Sequence, residues 1–295
     1  MLGARSPDRC RRRSGHGAAA GDVTVLAWVI PVGLVVGLSV GALGGGGSIL
    51  AVPALVYLFG QDSRAATTTS LIIVGVTSVI GAIPHQRAGR VRIGQGIVFG
   101  LLGVVGSYAG SRLSTAVPDE VLLAGFAVLI LVVAALMTRR RRQQARIAPG
   151  TAPVAEPPPV IVWRPHLRLD WGRAGTVLGT ATGVGLLTGF FGVGGGFAVV
   201  PALVLALGLS MPVAVGTSLV VIAINSATAL ASRFGQDVTL DWALIGGFMA
   251  AAVVGSLLGS RVVSRVSPAR LSLVFTILLV VVAVYTAARS VPQLF

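Results

Sequence analysis

Two glycine-rich stretches hold the backbone groups of this chain that could bind a ligand. The first contains Gly44, Gly45, Gly46, Gly47 and Ser48, and the second contains Gly192, Gly194, Gly195 and Gly196. Glycine has no Cβ, so its backbone N–H groups can approach a ligand closely. Each stretch runs into a short apolar segment, and the start of a helix carries unpaired N–H groups and a partial positive charge. The pattern therefore predicts coordination of a small anion by backbone N–H groups.

A proline follows each glycine stretch at the same distance, since Pro53 and Pro201 lie 148 positions apart. Proline kinks or ends a helix, so both are predicted to shape the site rather than contact the ligand. A competing interpretation is that the glycines only allow close helix packing, as the four-residue spacing of Gly33, Gly37 and Gly41 indicates just before them. Four consecutive glycines exceed what packing requires, which favours a binding role.

Polar side chains near the glycine stretches form the second group of candidates. They are Thr69, Ser70, Thr217, Ser218 and Asn225. The hydroxyl groups could donate hydrogen bonds to an oxyanion, or they could cap the helices on which they lie. Asn225 falls near the middle of an apolar span, where it could contact the substrate or hydrogen-bond between helices.

Groups for acid–base or metal chemistry are missing from the expected spans. All nine acidic residues fall at span edges or in tails, and His85 is expected to border a loop. An enzyme would need a nucleophile with a base, or paired acids, and only hydroxyl groups are available. The single cysteine, Cys10, excludes a disulfide within the chain and a Cys-based metal site. We therefore expect no catalytic residue, no metal and no cofactor.

The composition indicates a protein embedded in the lipid bilayer. Hydrophobic residues make up 54% of the chain and charged residues only 11%, whereas soluble domains have about 25% charged residues. Apolar stretches reach about 20 residues, enough to cross the hydrocarbon core. All 23 basic residues are Arg and lie in the N-terminal tail, a central linker and loops. That distribution fits membrane orientation and argues against a nucleic-acid partner.

The chain repeats itself, which sets the predicted domains. Ala66 to Leu71 matches Ala214 to Leu219 at the spacing of 148 that relates the two prolines. We predict a disordered basic tail over 1–22, a first transmembrane repeat over 23–142, a Pro/Arg-rich cytoplasmic linker over 143–171, a second transmembrane repeat over 172–290 and a C-terminal tail over 291–295. The expected spans are 23–43, 65–83, 93–111, 120–137, 176–191, 213–232, 242–260 and 269–288, with short segments at 49–59 and 197–207.

The predicted fold class is an all-α polytopic membrane protein with two tandem parallel repeats. Each repeat has about four transmembrane helices, about eight in total, and a Gly-rich break followed by a short half-helix. If the short segments do not cross independently, both termini and the linker are cytoplasmic, with 18 Arg inside and 5 outside. If each short segment crosses fully, the same start gives 9 inside and 14 outside. The positive-inside rule favours the first arrangement, whose even number of crossings makes the repeats parallel.

These motifs resemble the sulfite exporter TauE/SafE family of bacterial membrane permeases. That family has a duplicated Gly-rich segment, an apolar stretch with Pro and an Ala-x-x-Thr-Ser-Leu type sequence. Here these are Gly44 to Pro53 with Ala66 to Leu71, and Gly192 to Pro201 with Ala214 to Leu219. The resemblance covers about residues 23–142 and 172–290. One departure is Val193 in the position of Gly45, so the two glycine loops need not bind identically.

The resemblance implies a multi-pass transporter in the bacterial cytoplasmic membrane. Family members are linked to sulfite, sulfonates and other small sulfur-containing anions, so the expected function is movement of such an anion, with export favoured. One alternative is an uptake permease or channel for another small solute in the same fold. The other is a membrane scaffold without transport, which would leave the glycine loops unexplained. The sequence does not indicate the coupling ion or the oligomeric state.

Overall fold

The computed structural model describes residues 17–114, 119–146, 171–191, 196–233 and 240–290, which form ten α-helices and no β-strand. The first half contains α1 (Gly17–Leu43), α2 (Gly46–Tyr57), α3 (Ser63–Arg87), α4 (Ile93–Ser114) and α5 (Asp119–Arg146). The second contains α6 (Trp171–Phe191), α7 (Gly196–Leu205), α8 (Met211–Ala231), α9 (Trp242–Arg265) and α10 (Pro268–Ser290).

Several of these helices have the length and composition of membrane spans. Within the described residues, α3, α4, α8, α9 and α10 are each long and apolar enough to cross a bilayer. Large apolar side chains on outward faces are widely exposed, among them Val105 of α4 at 66% and Val281 of α10 at 59%. Such faces are stable against lipid and not against water. The protein is therefore an all-helical, multi-pass membrane protein.

The helix ends differ from the predicted spans mainly by extension. α8 begins two residues before the predicted span, and α9 continues to Arg265 rather than ending at 260. α1 begins at Gly17, inside the tail that was predicted to be disordered. α3 continues through Pro84 to Arg87, so the predicted end of this span at 83 is too early, and His85 lies in the last helical turn before the loop. The domain boundaries at 142 and 171 stay predictions.

The glycines of α1 pack directly against α9. Gly33, Gly37 and Gly41 face Phe248, Ala252 and Ser256 in that order. A Cβ on Gly33 would lie 2.9 Å from the Phe248 carbonyl oxygen, and one on Gly37 would overlap the Ala252 backbone. The predicted glycine face is confirmed. Because residue numbers rise together along the contact, α1 and α9 run in the same direction.

The same crossing recurs between α4 and α6. Gly185 and Gly189, which correspond to Gly37 and Gly41, lie against the backbone of Gly103 and Ser107. Gly106 and Gly110 of α4 lie against Thr182 and Leu186 of α6. These two helices also run in the same direction. The corresponding glycines of α1 and α6 thus make the same kind of close helix contact, α1 with α9 and α6 with α4.

The corresponding helices α3 and α8 pack in opposite directions. At one end, the Arg92 backbone N–H donates to Thr217 Oγ1 over 3.1 Å. At the other end, Arg233 Nη1 donates to Thr68 Oγ1 over 2.8 Å. Thr217 lies near the start of α8 and Arg233 just after its end. The start of α8 therefore meets the end of α3, and the two helices are antiparallel.

The short helix α2 returns along α1. A Cβ on Gly47 would lie 2.6 Å from the Val36 carbonyl oxygen, although the two residues are eleven positions apart in sequence. Further along, the Phe59 ring packs edge-to-face on Phe248 of α9, with centroids 6.0 Å apart, and Phe248 also backs Gly33. α1 and α2 therefore form a helical hairpin rather than one interrupted crossing.

These directions correct the predicted arrangement of the repeats. Parallel repeats require α3 and α8 to run the same way, and they do not. With α2 turned back on α1, each half contains five helices of alternating direction, so the halves have opposite orientation. The start of α1 and the end of α10 lie on one side of the helix bundle, and the end of α5 and the start of α6 lie on the other side. The prediction that both termini and the linker share one side is therefore wrong. The count of eight transmembrane helices stays a prediction.

Candidate functional site

The first glycine stretch forms a tight buried turn between α1 and α2. Gly44 through Gly47 are all buried. The Gly44 N–H donates to the Val40 carbonyl over 2.9 Å, which ends α1. Gly44 has a φ of 72°, a left-handed conformation that side-chain-bearing residues rarely adopt. Glycine at position 44 therefore allows the chain to reverse its direction within two residues.

The two glycine stretches meet inside the protein. A Cβ on Gly45 would overlap the Gly196 carbonyl group, so the two backbones are in direct contact. Gly196 is the buried first residue of α7. Gly192, Gly194 and Gly195 lie outside the described residues, as does the side chain of Ser48. The structure thus brings the start of α2 to the start of α7.

The start of α2 has the electrostatic character expected of an anion site. Gly45 is its N-cap, and no side chain caps the first turn. The turn is buried, so water is displaced from it. A helix begins with N–H groups that have no partner inside the helix, and its dipole places partial positive charge there. An anion held at Gly46 and Gly47 would therefore be stabilised by backbone groups alone.

Close packing also accounts for several of these glycines. A Cβ on Gly44 would overlap Ser218 Oγ, and one on Gly47 would overlap the Val40 side chain. Only at Gly46 is the nearest atom the end of a flexible side chain, Leu278 Cδ2, at 2.8 Å. The sequence argument that packing does not need four glycines is therefore wrong for three of them. Gly46 is the position where close packing gives the weakest reason for a glycine.

Two of the predicted hydroxyl groups lie in the second turn of α8 and already make hydrogen bonds. Ser218 is fully buried beside Gly44, and its Oγ donates to the Val215 carbonyl over 2.8 Å. Thr217 is also fully buried, and its Oγ1 accepts the Arg92 N–H. Ser218 is therefore the described hydroxyl that contacts the first glycine turn.

The other two hydroxyl groups lie in the second turn of α3. Thr69 is fully buried and its Oγ1 has no hydrogen-bond partner among the described residues, whereas Ser70 Oγ donates to the Thr67 carbonyl over 2.9 Å. Because α3 and α8 are antiparallel, Thr69 and Thr217 are separated by about 15 helical residues, or roughly 22 Å. Thr69 and Thr217 are therefore too far apart to contact one ion, and the part of each hydroxyl in binding stays a prediction.

Asn225 lies at the middle of the α3–α8 contact. Its Oδ1 is buried without a partner among the described residues, and it faces Gly103 of α4. Thr77 and Ser78, its counterparts on α3, are fully buried and equally unpaired there. An unpaired buried polar atom costs about 1–3 kcal/mol, so such groups commonly face water or a ligand. The sequence already relates Thr77 and Ser78 to Asn225 and Ser226 through the spacing of 148.

His85 is a functional candidate that the sequence placed outside the spans. It is only 1% exposed, and its Nε2 donates to the Gly41 carbonyl, three residues before the glycine turn, over 2.9 Å. Its Nδ1 is buried and has no partner in the described part of the chain. Ser256, which packs against Gly41 and Gly81, is fully buried with an equally unpaired Oγ. The titratable ring of His85 therefore contacts the end of α1, just before the glycine turn.

The remaining predicted features are the two prolines and the absence of a metal site. Pro53 and Pro201 lie inside α2 and α7 and do not end them, and their shaping role stays a prediction. No group of three His, Cys, Asp or Glu side chains that could hold a metal comes together in the ranges that the structure describes.

The helices and the buried helix starts define a class: a multi-pass α-helical membrane protein with paired breaks in its interior. The chain belongs to the sulfite exporter TauE/SafE family, whose family model matches residues 29–286. It is therefore a membrane transporter, in keeping with the resemblance of its glycine and Thr-Ser motifs.

Curated relatives carry the same general description. A "Probable membrane transporter protein" of Xylella fastidiosa (strain Temecula1) is 31% identical over 91% of this chain and 98% of its own length. The "Probable membrane transporter protein YdhB" of Bacillus subtilis (strain 168) is 27% identical over 77% of this chain and 88% of its own. A relative from Methanocaldococcus jannaschii is 25% identical over 88% of this chain. No solved structure matches the chain significantly.

Proposed function

We propose that the protein moves a small anion, sulfite or a related organosulfur oxyanion, across the bacterial cytoplasmic membrane, with export favoured. One observation carries this proposal: the buried start of α2, which no side chain caps, lies in contact with the start of α7. Two positive helix ends meeting inside a membrane protein attract negative charge, and no buried carboxylate is present among the described span residues to oppose it. The name of the family adds the sulfur oxyanion.

The opposite orientation of the two halves supports a transport cycle. Secondary transporters commonly place their substrate at the interface of two inverted repeats, where broken helices meet near the middle of the bilayer. Here the α1–α2 hairpin enters from the side of the termini and α6 enters from the side of the linker. An ion held by the N–H groups at the start of α2, beside the contact of Gly45 and Gly196, would lie between the two halves. Small movements of either half would then expose it to one side at a time.

The distribution of Arg supports one orientation in the membrane. With the hairpins as observed, 14 of the 23 Arg residues fall on the side of the linker and 9 on the side of the termini. The positive-inside rule then favours a cytoplasmic linker and both termini outside. This proposal replaces the predicted cytoplasmic termini, and it keeps the predicted cytoplasmic linker.

Anion flux in proteoliposomes tests the proposed function. The full-length protein is reconstituted, and efflux of sulfite, thiosulfate, isethionate and acetate is compared with that of empty liposomes. Sulfite should move fastest among them. Failure of all four anions to exceed the empty control would refute an anion transporter.

A matched pair of glycine variants tests the site. Gly46→Leu places a side chain at the start of α2 and should lower sulfite flux at least tenfold. Gly94→Leu is the control, because Gly94 lies on α4 with nothing within 4 Å of an added Cβ. Unchanged flux in a Gly46→Leu protein that unfolds at the wild-type temperature would mean that the glycines serve only packing.

A further inference from the structure

A cleft between α5 and α10 is lined by apolar residues at one end and by Arg at the other. It is an open cleft with a volume of about 680 Å³, within the range of about 300–1,000 Å³ typical of ligand sites. Leu131, Ala134 and Ala135 of α5 line one end together with Val280 of α10. Arg139 and Arg142 line the other end. None of the residues predicted to bind the transported anion lines this cleft.

The change from apolar to charged lining follows one face of α5. The α5 residues that line the cleft recur at helical spacings of three and four, so they form a single stripe. The stripe is apolar up to Ala135 and then carries two guanidinium groups one turn apart. Thr138, which lies between Ala135 and Arg139 on this stripe, donates its hydroxyl to the Ala134 carbonyl and adds no free donor. Gln143 also lines this end but carries no charge, so the positive charge of the cleft comes from Arg139 and Arg142.

The two guanidinium groups are available to a ligand. Among the residues that the structure describes, Arg139 and Arg142 have no ion-pair or hydrogen-bond partner, and no carboxylate lines the cleft. The adjacent Arg140 has a buried Nη1 atom that is also unpaired there. Positive charge that faces an apolar cleft at the end of a membrane helix attracts an anionic headgroup.

We infer that this cleft binds one anionic phospholipid, with its phosphate on Arg139 and Arg142 and an acyl chain along Leu131 to Ala135. A soluble anion would use the guanidinium groups and leave the apolar end without a partner. A zwitterionic lipid would use the apolar end and lose the charge contribution. The occupant that matches both ends is a lipid with net negative charge. The inference does not depend on which anion the protein transports.

Lipid titration of the purified full-length protein tests this inference. Binding of phosphatidylglycerol and of phosphatidylcholine is measured in detergent by native mass spectrometry. Phosphatidylglycerol should bind at least tenfold more tightly. Arg139→Gln with Arg142→Gln should abolish that preference, whereas Arg261→Gln with Arg265→Gln should keep it. The control pair removes the same charge from exposed residues at the end of α9, on the same side of the protein.

A second variant tests the apolar end without altering charge. Ala135→Phe fills the cleft and should weaken phosphatidylglycerol binding about tenfold. Equal losses in both Arg pairs would mean that surface charge alone attracts the lipid, which overturns the inference. It is also overturned if Ala135→Phe binds phosphatidylglycerol as the wild type does, or if inorganic phosphate competes as well as the lipid.

Discussion

Gly45→Ala gives the sharpest structural prediction, because the added methyl group meets backbone rather than side chain. Its Cβ would overlap the carbonyl group of Gly196, which belongs to another helix and cannot rotate away. The two helix starts would have to separate. Overpacking of this kind costs about 1–3 kcal/mol or more. We expect a lower unfolding temperature and a large loss of sulfite flux, since the meeting point of the two breaks would widen.

Variants at two other glycines show whether the loss of flux in Gly45→Ala comes from lower stability or from a change at the site. Gly60 has a φ of 64° and nothing within 4 Å of an added Cβ, so Gly60→Ala should cost about 1–2 kcal/mol through backbone strain alone. Gly94 lies in α4 with a helical φ and open space, so Gly94→Ala should stabilise by about 0.5–1 kcal/mol. Neither variant should change flux beyond its effect on the folded fraction.

Thermal unfolding in detergent, followed by tryptophan fluorescence, and sulfite flux in proteoliposomes measure these outcomes on the same preparations. Of the three variants, Gly45→Ala should be the one in which sulfite flux falls more than the loss of stability explains. If Gly45→Ala unfolds at the wild-type temperature and transports sulfite normally, the two glycine stretches do not meet as described.

Two further predictions concern the helix directions and the buried histidine. In an otherwise cysteine-free chain, a short thiol cross-linker should join Thr217→Cys to Arg92→Cys and should fail to join Thr217→Cys to Thr69→Cys; the reverse pattern on denaturing gels would restore parallel repeats. His85→Ala removes the bond to the Gly41 carbonyl and should lower the free energy of unfolding by about 1–3 kcal/mol, measured by chemical denaturation in detergent. An unchanged midpoint would mean that this bond does not hold the helix break.

The sequence predicted the helices well and their directions poorly, for one physical reason. Apolar length defined α8 and α9 to within a few residues, and glycine spacing identified the face of α1 that meets α9. The reversal at Gly44 and Gly45 occupies two residues, and a glycine break followed by an apolar segment fits a kink as well as a hairpin. That single ambiguity decides whether the number of crossings per half is odd or even.

The site was predicted in part, because residue type and spacing do not report depth or side-chain pairing. The glycine stretches and Ser218 come together, as their positions near two helix starts indicated. Thr69 and Thr217 share a motif but lie at opposite ends of an antiparallel pair. His85 follows Pro84, which made a helix end the natural prediction, yet α3 continues through both.

Sulfite binding at the first glycine turn is the central claim, and Ser218→Ala tests it against a closely matched control. Ser218 and Ser260 are both buried, and each donates its hydroxyl to the carbonyl three residues earlier, over 2.8 Å. Only Ser218 contacts Gly44. For Ser218 to bind sulfite, its single hydroxyl proton must turn from the Val215 carbonyl to the anion. A hydrogen bond to a charged group contributes about 1.5–3 kcal/mol, so Ser218→Ala should raise the KM for sulfite flux roughly tenfold, and Ser260→Ala should leave it unchanged. Equal KM values for the two variants would contradict the account.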